Sequence, residues 1–349
     1  MRKFAPGQDG GFTVRAWQVS SFGIDSLEFV ELPTPGPGPG QVLVRVHAVS
    51  LNFRDWMVVK GLYNPKMKLP RIPCSDGAGQ VEAVGEGVTA WKPGDRVAGI
   101  FMQNWLDGAF TRAKSRGALG GDTDGTLAEY IVLAESGLAA IPRHLSYEEA
   151  ATLPCAAVTA WNALAAADIK PGSTVLIQGT GGVSIFALQL ARLRGARVLG
   201  ISSSAQRLER ARELGLHAGL NYHQQPAWDR WAMDETGGEG VDLVVEVGGL
   251  ATLERSLKAV RFGGVIAQIG VLSGSADPGP LPLPTLFHKW TRLQGIYVGS
   301  RKDFEDLNRA ITLAQLRPAY ESFPWTDAPQ VIAGIEAGGH FGKIVLAVN

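Results

Sequence analysis

A glycine-rich turn between an apolar strand and a helix constrains the fold of this chain more than any other feature. The apolar run at 174–177 leads into this turn, which consists of Gly179, Thr180, Gly181, Gly182, Val183 and Ser184. Gly179 permits the tight turn, Gly181 lets the backbone approach a pyrophosphate, and Ser184 takes the place of the third small residue. The dipole of the following helix favours phosphate at its N-terminus. Because another strand follows at 197–201, the order of elements predicts a dinucleotide-binding domain.

The composition argues against several classes of protein. With 349 residues, the chain is long enough for two domains with separate cores. Its 33 basic residues equal its 33 acidic ones, so no basic field favours nucleic acid or an anionic membrane as partner. Two cysteines, Cys74 and Cys155, are too few for a disulfide framework, and we predict a reducing, cytoplasmic location. Residues 1–11 lack the apolar core of a signal peptide, and the apolar run at 155–167 is too short to span a bilayer.

The sequence pattern changes near residue 142. Proline and glycine alternate at 33–40, and short alternating segments up to residue 98 predict a small β-barrel. After residue 142, apolar strands alternate with helical stretches, which predicts a parallel sheet with crossover helices. Within that part, Ser203 and Gln206 have the spacing of a capping box at the start of a helix, and Gly215 is placed to end it.

Several further residues occur at an ordered spacing through the first hundred positions: Asn52, Asp55, Gly61, Tyr63, Gly77, Ala78, Gly79, Val84, Gly85, Gly94, Asp95, Arg96 and Val97. With the glycine-rich turn, they resemble the medium-chain dehydrogenase/reductase superfamily, and within it the zinc-independent quinone oxidoreductase-like and enoyl reductase-like branches. The resemblance covers nearly the whole chain. It implies an α/β protein with a GroES-like β-barrel catalytic domain (1–142 and 301–349) and an inserted Rossmann dinucleotide-binding domain (143–300). The active site would lie in the cleft between the domains.

The resemblance also bears on metal binding. In zinc-using relatives, cysteine, histidine with glutamate, and a second cysteine or aspartate hold the catalytic ion. The matching positions here hold Asn52, Ser75 with Asp76, and Cys155. Zinc needs three nitrogen, sulfur or carboxylate ligands, and one thiolate with a remote carboxylate does not supply them. The segment 103–125 has no cysteine for a structural zinc lobe. We therefore predict no metal site and interpret Cys155 as a small packed residue.

The end of the second predicted strand indicates which cofactor binds. Enzymes that prefer NADH place an acidic residue there to bind the ribose hydroxyls, whereas this chain has Ser202. Ser203, Ser204 and Arg207 follow, and Tyr222 ends the next strand. Hydroxyls and a guanidinium bind a 2′-phosphate, which a carboxylate would repel, so we predict NADPH. The resemblance implies that Ser203, Arg207 and Tyr222 grip this phosphate; alternatively, Arg207 is a solvated surface charge.

Hydride transfer belongs to the cofactor, so the protein must position the substrate and stabilise the oxygen that gains charge. The resemblance implies that Asn52 and Tyr63 face the nicotinamide. Tyr63 is either a general acid for a developing enolate or an amphipathic lid or wall residue. Asn52 either orients a carbonyl or bonds buried backbone. Asp55 ties the barrel loop together, and we assign Arg54 no role.

The resemblance implies further cofactor contacts at residues that pack behind the ring or follow apolar strands, although ordinary turn packing is the alternative. They are Thr159, Val247, Gly248, Gly270, Val271, Leu272, Val298, Gly299 and Ser300. Lys343, on the closing strand, faces either the cofactor or water. In relatives the strand at 294–298 extends the sheet across a two-fold axis, so we expect a homodimer by analogy.

Three functions fit these features. The first is NADPH-dependent, zinc-independent reduction of a quinone or an α,β-unsaturated carbonyl compound, with hydride passing to the quinone or the β-carbon. The second is an alcohol dehydrogenase or ketone reductase that works without metal. The third is a non-catalytic NADPH-binding protein. We favour the first, because nothing replaces zinc in deprotonating an alcohol and because Tyr63 and Asn52 are both present. The expected partner is a small carbonyl or quinone substrate, with neither nucleic acid nor membrane.

Overall fold

The computed structural model describes residues 13–270, 272 and 283–348. Their strands are β1 (Thr13–Val19), β2 (Leu27–Pro33), β3 (Gln41–Leu51), β4 (Asp76–Val84), β5 (Arg96–Gly99), β6 (Tyr130–Ala134), β7 (Leu138–Ala140), β8 (Thr174–Gln178), β9 (Arg197–Ser202), β10 (Ala218–Asn221), β11 (Val241–Glu246), β12 (Val260–Gln268), β13 (Arg292–Gly295), β14 (Tyr320–Pro324) and β15 (Lys343–Ala347). Their α-helices are α1 (Phe53–Val59), α2 (Tyr147–Ala151), α3 (Val158–Ala166), α4 (Gly182–Leu193), α5 (Ala205–Glu213), α6 (Trp228–Glu235), α7 (Leu250–Ala259), α8 (Leu283–His288), α9 (Arg301–Ala314) and α10 (Ala328–Gly334). Short 3₁₀ turns lie at Ile24–Ser26, Glu135–Gly137 and Trp325–Asp327, and a π-helical turn lies at Leu153–Ala157. Within these ranges, no helix is both long enough and apolar enough to cross a membrane.

Contacts divide the chain into two units, Met1–Val158 with Gly299–Asn349 and Thr159–Val298. In the first unit, β1 and β2 form an antiparallel pair, and a seven-stranded sheet has the order β14-β15-β3-β4-β5-β7, with β6 also paired to β3. Only β14 and β15 pair in parallel along this order. Since β15 pairs with β3, the C-terminal segment completes the sheet of the N-terminal part.

The long strand β3 contributes to two hydrophobic cores among the described residues of the first unit. Val42 and Val44 belong to the core that also contains residues of β5 and β7. Val46 and Val49 belong to the other core, which includes buried residues of α1 and α10. The register against β4 shifts between Val46 and Ala48, and such a bulge bends the strand and re-aims its side chains. The irregular register therefore lets one strand serve two clusters.

The segment 143–158 packs with the first unit, although we assigned it to the dinucleotide-binding domain. Asp76 Oδ2 accepts a hydrogen bond from Cys155 N at 3.1 Å. Arg317 Nη1 lies 2.8 Å from Glu149 Oε1 and joins α2 to the C-terminal part of this unit. The change of pattern near residue 142 therefore marks a change of secondary structure within the unit, and the unit itself continues to Val158.

The second unit is built on a six-stranded parallel sheet with the order β10-β9-β8-β11-β12-β13. The predicted parallel sheet is confirmed. Helices α4 to α7 connect successive strands from β8 to β12. Because β8 and β11 are neighbours but not consecutive, the strand order reverses between them, and ligands of such sheets bind at the carboxyl ends of the strands at this point.

Candidate functional site

The glycine-rich turn follows β8 directly. Gly179 has a φ of +71°, a left-handed conformation that favours glycine, and its N–H donates to Ile201 O at 2.7 Å. Helix α4 begins after Gly181, whose lack of a side chain leaves this helix end without a side-chain cap. Thr180 is buried and Val183 is partly buried. The N-terminal amides of α4 therefore suit a pyrophosphate.

The residues predicted to bind a 2′-phosphate come together at the carboxyl end of β9. Arg207 Nη2 donates to Ser203 Oγ at 2.8 Å, and Tyr222 N donates to Ser202 O at 3.1 Å. Ser204, rather than the predicted Ser203, caps α5, since its Oγ accepts from Arg207 N at 3.3 Å. Arg207 is partly buried, and its Nε has no hydrogen-bond partner among the described residues. This geometry does not support the alternative that Arg207 is a fully solvated surface charge.

The turns after β11 and β12 touch each other at the same edge of the sheet. Gly270 N donates to Glu246 O at 3.2 Å, and a Cβ at Gly270 would lie only 2.0 Å from Val247 O. Only glycine permits this approach of two backbones. Leu272 is half exposed, and Val271 lies outside the described residues. The predicted contacts of these turns with a cofactor stay predictions.

The remaining predicted cofactor residues lie in three different settings. Thr159 is buried in α3. Val298 has a φ of +54°, unusual for a β-branched residue, and its carbonyl accepts from Asn162 Nδ2 at 2.8 Å. Gly299 and Ser300 belong to the first unit, although we placed them in the dinucleotide-binding domain. Ser300 caps α9, so its hydroxyl has a structural role. Asn162, which fixes the strained turn, was missed in the sequence.

In the first unit, Asn52 lies at the centre of a hydrogen-bonded cluster. Lys343, which is 3% exposed, donates through Nζ to Asn52 Oδ1 at 2.5 Å and to Leu51 O at 2.6 Å. Asn52 Nδ2 donates to Ser75 Oγ at 3.3 Å, and Ser75 Oγ donates to Asp76 Oδ1 at 2.7 Å. Lys343 therefore does not face water, and it fixes the orientation of the Asn52 amide. Its predicted contact with a cofactor stays untested.

Tyr63 lies beside a buried arginine. The guanidinium carbon of Arg54 is 4.8 Å from the centroid of the Tyr63 ring and 4.9 Å from that of Phe101. Arg54 Nη1 also donates to Leu119 O at 2.8 Å and to Asp55 Oδ1 at 3.3 Å. We assigned Arg54 no role in the sequence analysis, although a basic residue followed by Asp55 in an otherwise apolar helix was a usable signal. Arg54 therefore contacts the ring of Tyr63, whose hydroxyl is the candidate proton donor.

Burial controls ionisation in this cluster. Burial raises the pKa of Asp55 to about 6, although the charge of Arg54 opposes the shift. Burial also raises the pKa of Asp76, and the Lys343 ammonium opposes that shift. The pKa of the Cys155 thiol is raised by burial and by repulsion from Asp76. The thiol therefore stays protonated at neutral pH, and the ionised forms of both carboxyl groups are disfavoured.

The residues at the family's zinc-ligand positions do not fit a catalytic zinc ion. Asn52 offers an amide oxygen that already accepts from Lys343, Ser75 offers a hydroxyl that is bonded to Asp76, and of these three residues Cys155 alone offers a sulfur ligand. Catalytic zinc is held by thiolate, imidazole and carboxylate groups, and an ammonium beside them would repel it. Among the described residues, no group of three or more His, Cys, Asp and Glu side chains is arranged to hold a metal ion.

Comparison with known proteins identifies the family. Residues 38–143 match the alcohol dehydrogenase GroES-like domain, and residues 182–313 match the zinc-binding dehydrogenase family. A zinc-type alcohol dehydrogenase-like protein of Schizosaccharomyces pombe is 40% identical over 94% of this chain and 96% of its own length. The chain belongs to the medium-chain dehydrogenase/reductase superfamily. The predicted α/β fold, with a GroES-like domain and a Rossmann domain, is thereby confirmed.

Other members of the medium-chain dehydrogenase/reductase superfamily are similar over the full length. A quinone oxidoreductase of Sus scrofa is 30% identical over 91% of this chain and 91% of its own length. A solved structure from Sinorhizobium meliloti 1021 matches with a TM-score of 0.89 and 39% identity, covering 96% of this chain and 99% of that chain. As a member of this superfamily, the protein is a nicotinamide dinucleotide-dependent oxidoreductase. The names of its relatives include both alcohol dehydrogenases and quinone oxidoreductases.

The raised pKa of Asp55 predicts how stability depends on pH. A carboxyl with a pKa of about 3.9 when unfolded and about 6 when folded binds more protons in the folded state. Stability should therefore fall as the pH rises from about 4 to about 6, by on the order of 2–3 kcal/mol for this group. Asp55→Asn should flatten this decline in urea unfolding at a series of pH values. Asp25→Asn, at an exposed position, should keep the wild-type slope; a wild-type slope in Asp55→Asn would contradict the assignment.

Proposed function

We propose that the protein is an NADPH-dependent, zinc-independent reductase of quinones or α,β-unsaturated carbonyl compounds. The cluster around Asn52 is the observation that carries this proposal. At positions where zinc-using relatives hold a metal, it has the amide of Asn52, the hydroxyl of Ser75 and one cysteine, with the Lys343 ammonium bonded to Asn52. The bound cofactor supplies the hydride. The protein's own residues then have to orient the acceptor and stabilise the oxygen that gains charge.

Asn52 is the proposed donor to that oxygen. Lys343 donates to Oδ1, so the amide presents its Nδ2 hydrogens to other groups, one of them toward Ser75. An amide whose oxygen accepts from an ammonium is polarised and becomes a stronger donor. Asn52 is therefore oriented to donate to a carbonyl or quinone oxygen without rearrangement, the property that electrostatic stabilisation of a transition state requires.

Tyr63 is the proposed proton donor. Its ring is held against Arg54, whose guanidinium is fixed in turn by Leu119 O. A phenol in a fixed position can donate its proton to the oxygen of the enolate or hydroquinone anion that forms as hydride arrives. Reduction of an enone or quinone needs only such donors, whereas oxidation of an alcohol needs a base or a metal to remove its proton. This difference favours reduction over alcohol oxidation, whereas reduction of a ketone would use the same donors and is distinguished only by the choice of acceptor.

The choice of NADPH rests on the end of β9. Ser203 and Arg207 are already hydrogen-bonded to each other, and Arg207 retains a buried Nε without a partner among the described residues. Tyr222 is joined to the same strand end through its backbone. A 2′-phosphate would accept charge-assisted hydrogen bonds from this group, whereas the ribose hydroxyl of NADH lacks the negative charge that a guanidinium attracts.

We also propose a homodimer located in the cytoplasm. Strand β13 is the edge of the parallel sheet, and all its residues are exposed. Trp290 and Leu293, which are 84% and 42% exposed, add apolar surface beside that edge. An exposed edge strand with apolar side chains beside it is suited to pairing with a second copy. Both cysteines are free, which agrees with a reducing compartment. Light scattering that gave the mass of one chain would contradict the dimer.

The proposed reaction can be tested by following the near-ultraviolet absorbance of the cofactor with chelator-treated protein. The acceptors would be a quinone, an enone and a simple ketone, each offered with NADPH and with NADH. We expect NADPH to be consumed with the quinone or enone, because no step depends on a removable metal. Turnover restored only by added zinc would overturn the proposal. Ketone reduction alone would favour the alcohol dehydrogenase alternative, and tight NADPH binding without turnover would favour a non-catalytic binding protein.

Arg207→Ala should separate the two cofactors. Loss of one or more charge-assisted hydrogen bonds should weaken NADPH binding about 10- to 150-fold while leaving NADH binding nearly unchanged. Dissociation constants from fluorescence titration would measure the difference. Arg212→Ala, in the same helix but paired with Glu209 at the surface, is the matched control and should not change the ratio. Equal losses for both cofactors in Arg207→Ala would remove the phosphate assignment.

Tyr63→Phe should slow turnover about 10²- to 10⁴-fold without weakening the cofactor, because it removes the proton donor and keeps the ring that contacts Arg54. The measurement is kcat under saturating NADPH together with the NADPH dissociation constant. Tyr320→Phe is the control, since its hydroxyl donates to Glu148 in the same unit. An unchanged kcat in Tyr63→Phe would leave the residue with only a packing role.

A further inference from the structure

Glu246 is a buried carboxylate at the end of β11, surrounded by hydrogen-bond donors. It has no solvent exposure. Its Oε1 accepts from Gly248 N at 2.9 Å, from Gly249 N at 3.0 Å and from Thr252 Oγ1 at 2.6 Å. No ion pair is formed by Glu246 within the described ranges. A buried charge without a counter-ion is costly unless hydrogen bonds replace its hydration, and here these bonds order the turn after β11.

Gln178 joins this carboxylate to the glycine-rich turn. Its Nε2 donates to Glu246 Oε2 at 2.8 Å and to Ser256 Oγ at 2.9 Å, and the Ser256 hydroxyl donates to the same Glu246 oxygen. Its Oε1 accepts from Val247 N at 3.3 Å and from Gly248 N at 3.2 Å. One amide side chain thus bonds to both the carboxylate and the backbone of the turn that follows it.

The pair lies where the strand order reverses. Gln178 is the last residue of β8 and Glu246 is the last residue of β11, and these two strands are neighbours. Ligands of doubly wound sheets bind at the carboxyl ends of the strands at this point. The pair therefore sets the spacing between the turn 179–183 and the turn 247–249.

The same pair makes the two nearby helix starts unequal. The amides of Gly248 and Gly249, just before α7, are bonded to the Glu246 carboxylate. Neither α4, which starts after Gly181, nor α7 has a side-chain cap, but the Glu246 carboxylate lies beside the start of α7 and accepts from Thr252 Oγ1 in its first turn. Because a helix N-terminus attracts negative charge, a carboxylate beside the start of α7 disfavours a second anion there. The pyrophosphate is thereby directed to α4.

We propose that Gln178 and Glu246 are positioning residues for the dinucleotide: their amide–carboxylate pair fixes the two turns at the reversal of strand order and reserves the start of α4 for the pyrophosphate. The proposal rests on the dinucleotide dependence of the family and not on the choice of NADPH. Substitution of either residue should therefore weaken NADPH and NADH binding by the same factor. Loss of the NADPH assignment would not contradict the role of Gln178 and Glu246.

A swap of the two side chains tests the pair. Glu246→Gln places an amide nitrogen against the donors of Gln178 and Ser256, and Gln178→Glu places two carboxylates together. In the double variant, one amide and one carboxylate are again paired. We expect each single variant to weaken NADPH and NADH binding in parallel by about tenfold, the consequence of losing a charge-assisted hydrogen bond. The double variant should return to within about threefold of the wild type, because coupled sites are not additive.

The readouts are dissociation constants from fluorescence titration of the full chain, with thermal unfolding measured beside them. A purely structural pair would lower the unfolding temperature and leave the affinity of the folded protein unchanged, and this result overturns the proposal. A double variant that binds no better than the single variants overturns it as well.

A milder variant covers the case in which the single variants do not fold. Thr252→Val removes one hydroxyl donor from Glu246 and should weaken both cofactors by about threefold, because two backbone amides still bond to the same carboxylate oxygen. Thr236→Val is its matched control. It removes a threonine hydroxyl that bonds to Ala232 O and Met233 O in the same unit, away from both turns. Unchanged affinity in Thr252→Val would count against the proposal.

Discussion

The hydrogen bond between Gln178 and Glu246 joins the ends of the two central strands of the parallel sheet, and the dinucleotide-binding edge is arranged around it. On one side, the backbone carbonyl of Gln178 accepts from the Ser184 hydroxyl at 2.6 Å and ties the strand to the first turn of α4. On the other side, the carboxylate holds the amides before α7. The glycines of the first turn supply the required conformations, but this pair holds that turn against its neighbour.

The first unit handles buried charge in the opposite way. There the central group is the Lys343 ammonium, which donates to Leu51 O and Asn52 Oδ1, and Asn52 is connected to Asp76 by two further hydrogen bonds through Ser75. The zinc-binding dehydrogenase description applies to the matched residues 182–313. That range contains none of the positions at which the family's zinc ligands would be found, namely Asn52, Ser75, Asp76 and Cys155. The description therefore does not conflict with a site built from hydrogen-bond donors.

Patterns within short stretches of the sequence correctly predicted the elements whose structure depends on neighbouring residues. The strand, turn and helix around Gly179, and the serines and arginine after β9, lie where we expected them. Contacts between residues far apart in sequence escaped prediction. The hydrogen bond from Lys343 to Asn52 cannot be derived from the periodicity of hydrophobic residues along the sequence, and neither can the packing of residues 143–158 with the first unit. Both depend on pairings that only the folded sheet establishes, such as that of β15 with β3.

An acidic residue that ends an apolar strand was a signal that we did not use. Glu246 follows four buried residues of β11, a position where an unpaired charge would be costly. Such a residue predicts a local set of donors, and the glycines and Thr252 that follow it in the sequence supply them. The sequence alone does not reveal that Gln178, at the end of another strand, completes the set.

The two units have one feature in common. In each, a buried charged group fixes the orientation of a side-chain amide. Glu246 attracts the Nε2 end of Gln178, so Oε1 is left to accept from backbone amides. Lys343 attracts the Oδ1 end of Asn52, so Nδ2 is left to donate. An isolated amide offers a donor and an acceptor with little preference between its two orientations. A buried charge of known sign removes that freedom before any ligand arrives. The sign of the charge therefore explains why the amide in the dinucleotide unit presents an acceptor, whereas the amide in the GroES-like unit presents a donor, as the proposed reduction requires.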